Sequence, residues 1–158
     1  KLHLDKTHQL QLNTALREVF EEYKGQAEQK HQAYELESTE EVLTVQADSA
    51  QLREAMSNLV GNAIKYTPEN GKVNVKLYVD RDYAVFEVID TGYGIPADQQ
   101  AGLFQPFYRA YSDETANIEG TGLGLHLVKN IITRHDGKMI FQSVYGEGST
   151  FGFRMPLL

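Results

Sequence analysis

Cysteine is absent from the 158 residues, which rules out a disulfide framework and any thiolate metal site. The 15 Lys and Arg residues form no long run, and against 22 acidic residues they leave a net charge of −7. A nucleic-acid backbone is met by a concentrated basic face, so neither DNA nor RNA is an expected partner. Nor is there an apolar run approaching the roughly 20 residues of a membrane span, or a signal-peptide pattern. No direct membrane contact is expected of this domain. The first residue is Lys1 rather than Met, so the expectation is a piece excised from a longer protein, with residues 1–7 as a linker remnant.

What is present is ordinary for a globular protein: 41% hydrophobic and 23% charged residues. The length fits a single domain over 1–158 with a core of its own. An acidic chain can still bind a polyphosphate, because backbone amides and one or two local cations suffice.

Residues 8–12 (HQLQL) alternate like a short strand. Asn13 is the expected N-cap of a helix running to about His31, with Leu16, Val19, Phe20, Tyr23 and Ala27 at helical spacing. Two strand-like pieces follow, 33–37 and 42–46. Asp48 then caps a second helix, apolar at Leu52, Met56, Leu59, Val60 and Ala63, and stopped by TPENG at 67–71. Val73, Val75, Leu77 and Val79 mark the clearest strand, and a turn at RDY leads into another over 84–90. A third helix is expected over about 122–135, then strands at 138–144 and 149–156 joined by YGEG. The pattern predicts an α+β fold: a two-layer α/β sandwich with three main helices on one face of a mixed, mostly antiparallel sheet.

The second helix carries the first chemical signal, NLVGNAIKYT over 58–67. At about 100° per residue, Asn62 falls about 40° and Lys65 about −20° from Asn58, opposite the apolar side. This stripe is either a solvated face or a ligand face. An amide oxygen suits Mg²⁺ and a lysine suits phosphate, and Tyr66 stands between the stripes where a ring can line a pocket. DTGYGI (90–95) ends a buried-looking strand: Asp90 can accept from a base's exocyclic amine, while Gly92 and Gly94 allow a sharp turn close to a flat ligand. GTGLGL (120–125) opens the third helix and offers free N–H groups and the positive dipole end to an anion. It lacks the G-K-[ST] of a P-loop and the preceding hydrophobic strand of a dinucleotide fingerprint. Each glycine cluster alone is equally an ordinary turn or loop. Between them, LFQPFYRA (103–110) offers Phe104, Phe107 and Tyr108 as anchors of a loop and Arg109 as either a phosphate contact or a surface residue.

Read in order, these pieces make the chain resemble the catalytic, ATP-binding (HATPase_c) domain of a bacterial sensor histidine kinase, of the gyrase, heat-shock-chaperone and mismatch-repair (MutL) ATPase superfamily with the Bergerat fold. NLVGNAIKYT resembles its N box, DTGYGIP its first G box, LFQPFYR its F box, and GTGLGLHLVKNI its second G box. The tail GEGSTFGFRMPL resembles the closing strands. The resemblance implies ATP and Mg²⁺ as ligands, with ADP as product. It implies that Asn62 holds Mg²⁺, with Asn58 and Lys65 supporting phosphates and metal. Tyr66 would lie on the adenine, Asp90 would take its amino group, and Gly92, Gly94, Ile95 and Thr150 would complete that end. Gly120, Thr121, Gly122, Leu123, Gly124 and Leu125 would shape the hinge and phosphate cradle of a mobile lid over about 105–120. Arg109 would lie near the γ-phosphate, and Asn62, Lys65 and Arg109 would supply the catalytic charge.

The implied activity is transfer of the γ-phosphoryl to a histidine on a separate dimerisation domain, with a response regulator downstream. The implied location is cytoplasmic for this domain, with a parent in the inner or plasma membrane as in many relatives. Hydrolysing members of the superfamily carry a glutamate base where this chain has Asn58, which argues against a dedicated ATPase. His3, His8, His31, His126 and His135 all lack the phosphoacceptor setting and read as surface or helix-end residues. The alternatives are an anti-sigma-type serine kinase or ATPase, disfavoured by Asn58, and a degenerate binding module, disfavoured by four intact motifs.

Overall fold

The computed structural model describes residues 8–106 and 124–158. Most of the expected lid, with Phe107, Tyr108, Arg109, Gly120, Thr121, Gly122 and Leu123, lies outside the described residues, as does the expected linker 1–7.

Strand β1 (Gln9–Gln11) leads directly into α1 (Leu12–Glu22), then α2 (Lys24–Gln29). Two details depart from the sequence expectation. Asn13 is not the N-cap; Gln11 holds that position without a side-chain bond. Asn13 instead ties down the distant 39–43 segment, donating to Thr39 O at 3.2 Å and Glu41 O at 2.9 Å and accepting from Leu43 N at 2.8 Å. The single helix expected to His31 is broken at Tyr23. Its ring packs over Gly61, and its hydroxyl hydrogen-bonds with Ser57 at 2.7 Å.

Strands β2 (Ala33–Ser38) and β3 (Thr44–Gln46) precede α3 (Ser49–Lys65). Here the cap is as expected: Asp48 accepts from Gln51 N at 3.1 Å. Strands β4 (Lys72–Asp80) and β5 (Tyr83–Asp90) follow, then a 3-10 turn at Ala97–Gly102, α4 (Leu125–Arg134), β6 (Lys138–Val144) and β7 (Gly148–Pro156). The main sheet runs β2-β4-β5-β7-β6, with β2 parallel to β4 and the other pairs antiparallel; β1 and β3 form a small pair of their own. The helices cover one face, giving the expected two-layer α+β sandwich, with four α-helices among the described residues where the sequence predicts three main ones.

Alternation divides the sheet. Phe86 and Phe153, cross-strand partners with rings 5.0 Å apart, are fully buried in one cluster with Leu52, Met56 and Leu59 of α3 and Val128 of α4. Each such ring contributes about 2–3 kcal/mol of burial. His135, expected at a surface or helix end, is the α4 C-cap residue and is buried. Its Nδ1 donates to Ile131 O at 2.7 Å, and its Nε2 accepts from Asp48 N at 3.0 Å. One neutral ring therefore fastens the end of α4 to the start of α3.

Candidate nucleotide-binding site

The packing of β5 and β7 carries a polar end. Strand residues facing the core run Phe86, Val88, Asp90 on β5 and Phe153, Phe151, Ser149 on β7, so Asp90 continues a buried row. Its Oδ1 accepts from Gly92 N at 2.8 Å and Ser149 N at 3.2 Å. Burial pushes its carboxyl up to about 6, against the opposing pull of those two amides. Desolvation wins, leaving a carboxylate ready for a further donor.

Ser149 is not among the residues that the sequence singles out, where Thr150 is preferred. The register pairs Asp90 with Ser149 and Ile89 with Thr150. Strand alternation therefore gives Ser149 the face of Asp90 and turns Thr150 to the other. Both nonetheless border one pocket of about 180 Å³, which Asp90, Ser149, Thr150 and Gln142 help line. The signal for Ser149 is its position directly after Gly148, but choosing between neighbours requires the register. Ser143 and Gln100 also escape the sequence pattern. Ile95 N donates to Ser143 Oγ at 2.9 Å, and Gln100 Nε2 donates to Ile95 O at 2.9 Å, tacking the glycine loop onto β6. Gly94 has φ +70°, and any Cβ there would strike the Val144 carbonyl.

Opposite this loop stands the polar stripe of α3. Asn58, Asn62 and Lys65 are half-buried along it. Asn62 Nδ2 donates to Asn58 Oδ1 at 3.1 Å, and Lys65 Nζ lies 5.5 Å from the Tyr66 ring centroid. The two walls meet at the helix end: Tyr93 N donates to Tyr66 O at 3.2 Å, and Gly92 lies so close to Tyr66 O and Thr67 Oγ1 that a side chain would not fit.

The second glycine motif reaches the same stripe through its described end. Gly124 is the N-cap residue of α4, left-handed at φ +70°, and a Cβ on it would collide with the Asn58 amide. The structure thus brings Gly124 onto Asn58 and the DTGYG loop onto Tyr66. Leu125 and Ile95 are placed with their side chains in the core, so any ligand contact there runs through backbone. Chemically, the arrangement offers a desolvated carboxylate at one end. Amide groups, an ammonium and a helix N-terminus lie along the other. Among the described residues no cluster of three or more His, Cys, Asp or Glu could hold a metal.

Residues 47–158 match the model of the histidine kinase-, DNA gyrase B- and HSP90-like ATPase family. The phosphate regulon sensor protein PhoR of Pseudomonas aeruginosa is 42% identical over 107 residues, covering 68% of this chain and 24% of PhoR. The chain therefore spans about a quarter of that relative's length. The nucleotide-free catalytic domain of histidine kinase ThkA superposes with a TM-score of 0.81 at 28% identity, over 98% of this chain and 96% of that one. ThkA in complex with the response regulator protein TrrA aligns at 0.79 and 28%, over 96% of this chain and 42% of ThkA. Full-length ShkA in complex with AMPPNP aligns at 0.79 and 28% identity, over 99% of this chain and 32% of ShkA. The chain belongs to the histidine kinase-, DNA gyrase B- and HSP90-like ATPase family, as an ATP-binding catalytic domain of the histidine kinase kind.

Proposed function

We propose that this domain binds Mg·ATP between α3 and the Asp90 end of the sheet and presents the γ-phosphoryl to a histidine on another domain of the parent protein. The observation that carries the reading is the half-buried Asp90, held by two amides beside a loop whose Gly92 and Gly94 leave no room for a side chain. A carboxylate in that position has its charge desolvated and its hydrogen-bonding capacity incompletely used, which suits an exocyclic amine of adenine. Thr67 supports the fit: its hydroxyl is fully buried next to Gly92 and has no hydrogen-bond partner among the described residues.

Tyr66 would flank the base, with Lys65 and the amides of Asn58 and Asn62 along the phosphates. Asn62 donates its NH₂ group to Asn58, an orientation that supports its oxygen as the group that would hold Mg²⁺, a hard cation that takes oxygen ligands. Held there, a divalent cation would supply positive charge against the phosphates. Ser149, Gly94 and Ile95 would complete the base end, and Gly124 with the α4 N-terminus would face the phosphates. Arg109, Gly120, Thr121, Gly122 and Leu123 belong to the proposal on sequence grounds alone.

The transfer would form a bond from a histidine nitrogen to the γ-phosphorus and break the bond to the bridging oxygen, releasing ADP. No covalent help from this chain is needed, since phosphoryl transfer is carried by positioning and charge neutralisation. A response regulator would receive the phosphoryl next, by analogy with ThkA.

Calorimetric titration of the 158-residue chain with Mg²⁺ and AMPPNP tests the reading. One nucleotide should bind, Asp90→Ala should abolish binding, and Asn62→Ala should remove the magnesium dependence. No heat, together with no competition by ADP, would sink it.

A further inference from the structure

Helix α3 ends without a glycine C-cap. Tyr66 occupies the cap position at φ −98° and ψ 11°, outside the left-handed region that most commonly closes a helix. The last carbonyls of a helix have no partners within it. Here the partners come from the connection between α2 and β2. Lys30 Nζ donates to Ile64 O at 2.9 Å and Lys65 O at 3.2 Å. Gln32 Nε2 donates to Ile64 O at 3.0 Å and Thr67 O at 2.8 Å. Backbone bonds complete the seam, from Asn70 N to Lys30 O and from Ala33 N to Gly71 O, both at 2.9 Å.

We infer that Lys30 and Gln32 are positioning residues for nucleotide binding, bracing the 64–67 turn so that Lys65 and Tyr66 stand where phosphate and base are met. The inference rests on the function proposed above. Both carbonyls flanking Tyr66 in sequence, those of Lys65 and Thr67, are held by the brace. Tyr66 O itself takes Tyr93 N, so the same turn fixes the loop that follows Asp90. A helix end whose carbonyls lack donors frays, and fraying here moves the Lys65 ammonium and the Tyr66 ring together.

The physical setting is consistent with this role. Gln32 is buried, so its amide cannot be exchanged for water without cost. Burial lowers the Lys30 pKa, with Glu69 opposing, yet a cation against the carbonyls of a helix C-terminus is favourably placed in the dipole field. The brace also lies outside residues 47–158, the part shared with the family model. The N-terminal segment thereby acts on the binding helix at its functional end.

The test is AMPPNP titration of the 158-residue chain and of Lys30→Met, Gln32→Leu and Lys30→Arg, each with its melting temperature. Val19→Ala, a buried α1 position away from the turn, supplies a stability control. Lys30→Met and Gln32→Leu should each weaken binding about tenfold, the equivalent of 1.4 kcal/mol. Lys30→Arg, which keeps the donors, should restore most of that loss. Val19→Ala should melt at least as early as either variant yet bind within about twofold of the native chain. Losses no greater than in Val19→Ala, or no rescue by Lys30→Arg, would overturn the inference and leave the function intact. Failure of the native chain to bind would overturn both.

Discussion

Replacing Asp90 by asparagine should make this domain more stable at neutral pH while removing its affinity for nucleotide. The carboxyl is raised from 3.8 to about 6 by burial. That shift corresponds to roughly 3 kcal/mol at about 1.4 kcal/mol per unit, and to about 2 kcal/mol once its partial exposure is allowed for. Because the folded value lies above the unfolded one, the protonated native state is favoured. The stabilisation is fully present below about pH 3.8 and is lost as pH rises through about 6. Above that pH the native chain carries a desolvated charge that asparagine lacks, while an amide oxygen can still accept from Gly92 and Ser149. Urea unfolding of both proteins between about pH 4 and pH 8 reads the difference. The two should be nearly equal at the acid end. At the neutral end the Asp90→Asn variant should lead by about 2 kcal/mol, roughly 4–8 °C in melting temperature for a chain of this size. A variant less stable at neutral pH, or a gap independent of pH, would refute the burial argument. Retained nucleotide affinity would refute the assigned role of Asp90.

Two further outcomes follow from the packing. Gly124→Ala should cost about 1–2 kcal/mol through its left-handed backbone and displace the Asn58 amide, so that calorimetry shows nucleotide binding weakened by roughly fivefold or more. His135→Leu should leave the Asp48 N–H buried without its acceptor and lower stability by about 2–3 kcal/mol in urea unfolding.

The legible parts of the sequence are those whose causes are local. Asp48 caps α3 because its partner is Gln51, three residues on, and β4 is legible because alternation is a property of the strand itself. Where the sequence misleads, the deciding partner is remote. Asn13 has the chemistry of a cap, but its three bonds go to Thr39, Glu41 and Leu43. The break at Tyr23 depends on Ser57 and Gly61, which no window around Tyr23 contains. His135 reads as a helix-end polar residue, and only the approach of α3 makes it a buried link. The choice between Ser149 and Thr150 turns on a one-residue register that pairs one of them with Asp90. The α3 stripe and the glycine turns can be found as residues. Their junction at Tyr66 and at Asn58 belongs to the tertiary structure.

That junction bears on how ATP would be consumed. Hydrolysis needs a group that takes a proton from water, and the amide of Asn58 has none to offer. Its oxygen accepts from Asn62, and its nitrogen lies against Gly124. Asn58 thus connects Asn62 to the start of α4, the helix that follows the GTGLG motif. An element that couples two walls of a site and cannot act as a base favours holding the nucleotide over spending it on water. On the proposed reading, turnover then waits for a nucleophile brought by another domain. On that reading the rate would be set by the encounter rather than by chemistry built into this chain.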